Sequence, residues 1–187
     1  MRAAAYGTQA LWKMFEENNH MNNTIGLSIK TIEAHTAGEP LRVIVEGWPD
    51  LPGETIVAKR RLAQTEHDWL RRALMLEPRG HADMYGCILT EPTTPDGDVG
   101  VLFLHNAGFS TMCGHGIIGL LTVGHAFELL PVAVGKPVRI DTPAGRVTAV
   151  AEERYSVSSI QYSEERLTES RTLNIEHQIK TVSFENV

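Results

Sequence analysis

A chain of 187 residues that is 42% hydrophobic and 21% charged has the balance of a folded globular protein, which excludes an intrinsically disordered tail. Its net charge of −6 comes from 17 basic and 23 acidic residues with no long run of one sign, which excludes a nucleic-acid stripe and a polybasic membrane anchor. Two cysteines, Cys87 and Cys113, are too few for a disulfide scaffold. With no clean secretory signal at the start, the expected location is the reducing cytoplasm.

Residues 1–27 show no periodicity and crowd Asn18, Asn19, Asn22 and Asn23, so a flexible N-terminal extension is expected there, with Met14 and Met21 as alternative starts. Residues 28–187 then read as one domain. Strands are predicted over Ser28–His35 and Leu41–Gly47, with a turn at AGEP between them. From Glu54 to Leu76 the apolar residues Leu62, Trp69, Leu70, Ala73 and Leu74 fall on one face of a 3.6-residue period, which predicts a helix ending before Pro78. Lys59, Arg60, Arg61, Arg71 and Arg72 are its expected solvated face.

Further strands are predicted over Met84–Thr90 and Val99–His105, with Cys87 in the core. The glycine-bearing loop AGFSTMCGHG then opens into a helix from Ile117 to Leu130. That helix is apolar nearly all round and is expected to be surrounded by other protein; Gly119, Gly124, His125 and Glu128 make it unsuitable as a membrane span. Strands at Val138–Thr142 and Arg146–Val150, a polar insert near residues 163–176 and a last strand at KTVSF complete the chain. The expected fold class is α+β, with strands wrapped on a buried helix.

Cys113 is the first candidate for chemistry. A thiol just before a helix feels unpaired backbone N–H groups and the positive end of the macrodipole, which favours the thiolate. His115 adds a donor, and Gly114 and Gly116 leave room for a ligand to approach the backbone, so the segment forms a plausible carboxylate seat. A basic thiolate beside such a seat suits removal of a proton α to the carboxylate. The alternative is that Cys113 is a small buried hydrophobe. A Cys-x-His metal site is weaker, because no paired zinc-type spacing accompanies it. Arg79, His81 and Asp83, in EPRGHADMYG, read most simply as an ion-paired turn that caps the preceding helix.

Taken together, IEAHTAGEPLRVIVEG, KRRLAQTEHDWLRRALMLEPRGHADMYG, GVLFLHNAGFSTMCGHG and DTPAGRVTA resemble, in order and spacing, the N-terminal half of the proline racemase family. That family includes proline racemase, hydroxyproline 2-epimerase and trans-3-hydroxy-L-proline dehydratase. The resemblance runs from Ile29 to Val150 almost without gaps, and KTVSFENV resembles the strand that closes the family's first half.

The resemblance implies a diaminopimelate-epimerase-like half, a β-barrel-like sheet around a central apolar helix, with substrate held between two such halves. It implies that Cys113 is the first catalytic cysteine, that Gly114 and His115 hold the substrate carboxylate, and that Tyr85 and Phe103 wall the proline pocket. It implies no cofactor and no metal. The expected partner is a small-molecule substrate, proline or hydroxyproline, with neither nucleic acid nor membrane, and with self-association through an uncovered half-cleft.

The motif LFLHN-x-G-x-S-x-MCGH most resembles that of the dehydratases, which implies dehydration as the expected reaction, with proline racemase or hydroxyproline epimerase as the alternative. The family's second motif, DRSPCGTG or DRSPTGSG, has no counterpart in the sequence. The chain is therefore expected to supply one side of a two-sided site and not to turn over substrate at a normal rate alone. A non-catalytic fragment or binding module is the alternative from outside enzymology.

Overall fold

The computed structural model describes residues 27–152 and 181–186. The expected extension over residues 1–26 and the polar insert at 163–176 lie outside the described residues.

The first two strand signals form a hairpin, β1 (Lys30–Thr36) and β2 (Glu39–Glu46). Ala37 and Gly38 turn it with positive φ at both positions, 50° and 96°. That backbone matches the right-handed twist of paired strands, and the glycine takes it at no steric cost. Glu39 and Pro40, expected in the turn, already pair with Thr36 and His35.

The single helix expected from Glu54 to Leu76 is two: α1 (Ile56–Glu66) and α2 (Asp68–Met75). His67 leaves helical geometry at φ −125°, ψ 13°, and Asp68 starts the second helix with an acidic first turn. The break resets the helical phase. Leu70, Leu74 and Met75 are buried, whereas Trp69, expected on the apolar face, is 57% exposed. Lys59 and Arg71, expected in solvent, are buried. The Lys59 ammonium donates to the Glu91 carbonyl at 3.1 Å. Arg71 is held by the Asp68 carboxylate at 2.6 Å and donates to the carbonyls of His105 and Asn106. The expected capping of the helix end is present but uses carbonyl contacts. Arg79 donates to the Ala73 carbonyl, Arg42 to that of Leu74 and Asn106 to that of Met75.

Then follow β3 (Tyr85–Thr90), β4 (Val99–His105), a three-residue strand β5 (Gly108–Ser110) that the glycine-rich loop concealed, helix α3 (Gly114–Ala126), β6 (Pro137–Thr142), β7 (Gly145–Glu152) and β8 (Thr181–Asn186). They join one mixed sheet in the order β1-β2-β3-β4-β6-β7-β8, with β5 on β4. β2 with β3 and β4 with β6 are parallel; the other pairs are antiparallel.

Strand alternation builds two cores. Leu41, Val43, Cys87, Val101 and Phe103 face α3, with Ile117, Leu120 and Leu121. Ile44, Ile88, Leu102 and Leu104 face α1 and α2, with Ile56, Leu70 and Met75. β4 is buried on both faces, as its unbroken apolar run requires.

Helix α3 touches β1, β2, β3, β7 and β8, as an all-round apolar helix should. It starts three residues before the expected Ile117 and stops four before the expected Leu130. Glu128 takes φ 55°, Leu129 donates back to the Gly124 carbonyl at 2.9 Å, and Leu130 folds onto Gly124, where a Cβ would stand 2.9–3.0 Å from its side chain.

Candidate active site

Cys113 stands at the N-terminus of α3, where the chain leaves β5. Its extended backbone, φ −149° and ψ 111°, makes it the helix N-cap, a place more often taken by Ser, Thr, Asp or Asn. Sγ accepts the Gly116 N–H at 3.4 Å, as the hydroxyl of a serine cap does. The His115 ring lies beside the sulfur, with Nδ1 at 3.3 Å and Nε2 at 3.7 Å.

Gly116 is a glycine for packing. A Cβ there would meet Phe103 at 2.8 Å and Cys113 Sγ at 3.1 Å, so its bare side is turned to the core, not to a ligand as the sequence led one to expect. Phe103 itself is fully buried beneath this turn. It supports the cap from below and presents no accessible ring surface. Tyr85 is half-buried and has one ring on each side: His105 stacks on it at 5.4 Å, and His115 meets it edge to face at 4.8 Å. Thr36, at the end of β1, donates its hydroxyl to the His115 carbonyl at 3.0 Å and ties α3 to the first hairpin.

The sequence therefore brings Cys113, Gly114, His115 and Tyr85 together, with Phe103 behind them. It did not single out Thr36, His105 or Glu39. Thr36 and Glu39 stand in the segment IEAHTAGEP, but nothing in their spacing shows that the hairpin lies against the start of α3.

Electrostatically, burial dominates. It pushes the Cys113 thiol above its ordinary value, and the Gly116 and His115 backbone N–H groups pull the other way without overcoming it. Glu39 adds to the upward push. The helix terminus alone thus does not yield the expected thiolate, because a mostly buried sulfur loses more hydration than two amides return. Cys87, fully buried in β3, is pushed up much further by the same cause. Among the described residues no group of three His, Cys, Asp or Glu side chains is placed to hold a metal ion. No helix among them is long and apolar enough to cross a membrane.

The family model described as proline racemase matches residues 31–168, from the first hairpin through the Cys113 turn and beyond β7. The chain belongs to the proline racemase family. Within that family, the trans-3-hydroxy-L-proline dehydratase of Bacillus cereus is 51% identical over 132 residues, covering 70% of this chain and 39% of that protein. The 3-hydroxyproline 2-epimerase of Burkholderia multivorans is 50% identical over 131 residues, covering 68% and 38%. A crystal structure of a hydroxyproline epimerase from Agrobacterium vitis with bound trans-4-hydroxy-L-proline superimposes with a TM-score of 0.62 at 26% identity, covering 67% of this chain and 38% of that one. The chain thus spans under two fifths of the length of these relatives.

Proposed function

We propose that the protein acts at the α-carbon of a proline-type amino acid, with Cys113 as the base, and that the reaction is dehydration of trans-3-hydroxy-L-proline. The observation that carries this reading is the seat of Cys113: a thiol as N-cap of a buried helix, its sulfur on the His115 ring and on first-turn amides. A carboxylate placed over the Gly114 and His115 amides would set the adjacent α-carbon against that sulfur.

Burial raises the thiol, and the substrate itself opposes this, because its secondary ammonium brings a positive charge beside the thiolate. The thiolate takes the α-proton and becomes a thiol, and the electron pair passes into the carboxylate as an enediolate. As the pair returns, the bond from C3 to its hydroxyl breaks, and the hydroxyl leaves as water with one further proton from an acid on the opposite face. In this reading Cys113 serves one face of the α-carbon, and a group outside residues 27–152 serves the other. The approach of strands from both ends of the sheet to α3 supports taking this unit as the barrel-like half that the family resemblance implies.

The names of the relatives support the choice of dehydration. Epimerisation at C2 is the second reading, favoured by the Burkholderia multivorans relative at 50% identity. Calorimetric titration of the chain with pyrrole-2-carboxylate, a planar analogue of the deprotonated substrate, tests the seat. Binding that is lost in His115→Ala is expected, and no binding to the parent chain overturns the reading. Proton NMR in D2O of trans-3-hydroxy-L-proline with protein that does turn over then separates the chemistries. Loss of the 3-hydroxyl means dehydration, and retention with inversion at C2 means epimerisation.

A further inference from the structure

We propose that Tyr85 is a positioning residue for His115: its ring holds the imidazole plane against Cys113 Sγ, and His105 and Arg71 hold Tyr85 in turn. The inference rests on the reading of Cys113 as the reactive thiol.

The His115 ring needs such a support. Its two nitrogens stand at 3.3 and 3.7 Å from the sulfur, nearly equidistant, so the contact with sulfur does not by itself choose a ring orientation. The torsion that turns the ring is broad, with shallow preferences. Tyr85, edge to face at 4.8 Å and 77°, is the neighbour that fixes the plane. Tyr85 cannot turn away freely, because His105 stacks on its other side at 5.4 Å and 28°, its direct cross-strand partner in β4.

His105 is held at both ends. Its Nδ1 accepts the Ala107 N–H at 3.2 Å, and its carbonyl accepts from the Arg71 guanidinium at 2.9 Å. Arg71 is in turn gripped by Asp68 at 2.6 and 3.0 Å. This gives a function to a buried arginine on α2 that helix patterning placed in solvent. A packed series runs from Asp68 and Arg71 through His105, Tyr85 and His115 to the sulfur. Burial and, after it, the Arg71 charge both press the His105 imidazole below its ordinary value, which favours the neutral ring behind Tyr85. The groups that act on the thiol are the Gly116 and His115 amides and the His115 ring on α3, and Glu39 from β2; Cys87 on β3 feels Cys113 in turn.

The test is the second-order rate of Cys113 alkylation by iodoacetamide across pH, read on the Cys113 peptide by mass spectrometry; Cys87 is fully buried and marks unfolding if it reacts. Tyr85→Leu is expected to slow the reaction about fivefold at neutral pH and to move its inflection upward, the worth of one oriented aromatic contact, whereas Tyr85→Phe keeps the parent profile. In a His115→Ala background, Tyr85→Leu should change nothing further. An equal slowing in that background, or a parent-like profile for Tyr85→Leu with Cys87 still protected, overturns the inference and leaves Cys113 as proposed. A Cys113 that does not react in the folded parent chain overturns the reading and the inference together.

Discussion

Two buried acids, Asp141 on β6 and Cys113 at the start of α3, meet the same loss of hydration with opposite results. Burial by itself would raise the Asp141 carboxyl, but the Thr93 N–H, the Thr94 hydroxyl and N–H, and the Arg146 guanidinium outweigh it and hold the group below its usual value. Arg146 also reaches Asp96, so the loop after β3 is clamped across β6 and β7. At Cys113 two amides and a neutral-capable ring are too few, and the thiol goes up. Where a buried charge is structural, this fold surrounds it with donors. At Cys113, the proposed base, it supplies fewer donors, and burial keeps the upper hand.

The contrast can be broken first at the clamp. Asp141→Asn turns an acceptor toward donors as an amide, and a loss of about 3 kcal/mol is expected, read as a lower urea midpoint. The same carboxyl sets an acid limb. Its folded pKa lies below the unfolded one, so its contribution is complete above about pH 4 and is lost as pH falls through the lower folded value. Thermal melts of the parent should therefore weaken in that acid window, and those of Asp141→Asn should weaken less.

Next comes Gly116→Ala, whose methyl group has to displace Phe103 or the sulfur; a cost of about 2 kcal/mol is expected, together with altered Cys113 alkylation. At Cys113 itself, because burial raises the thiol, its alkylation rate should still be climbing above about pH 8.5, the ordinary thiol value, rather than levelling off near neutrality. A plateau near pH 7 would show that the site behaves as the helix dipole alone predicts. The smallest effect belongs to the surface pair Lys30 and Glu46, at 2.5 Å with the lysine 66% exposed: Lys30→Ala should change the unfolding free energy, read from urea melts, by less than about 0.5 kcal/mol.

Patterning was most legible where a strand has one dominant environment. β4 was expected from Val99 to His105 and is found there, because a strand buried on both faces reads as an unbroken apolar run. It was least legible where a short polar segment breaks a period. Nothing before His67 announces that the helix stops, yet that stop turns Trp69 outward and Arg71 inward. Three residues of β5 carry too little pattern to be seen among glycines.

Of the site, Cys113, Gly114 and His115 were legible because they are neighbours in sequence and open a helix whose apolar composition is unmistakable. Tyr85 came from its place in a motif shared with the family. Thr36, His105 and Glu39 were not legible, because they arrive on three other strands. The role of Gly116 was misread because a missing Cβ serves a ligand or a neighbouring ring equally well, and only packing shows which.

The amino-acid sequence by itself determined the α+β class, the burial of α3, the family and the choice of Cys113 as the candidate thiol, since each rests on local periodicity or on contiguous motifs. Only the tertiary structure decided the order of the mixed sheet, the partners of the buried Lys59 and Arg71, the stack of rings behind His115 and the protonation bias of Cys113. Each of these depends on which distant residues share a neighbourhood and how much water they exclude, and neither quantity is written in the spacing of residues along a chain.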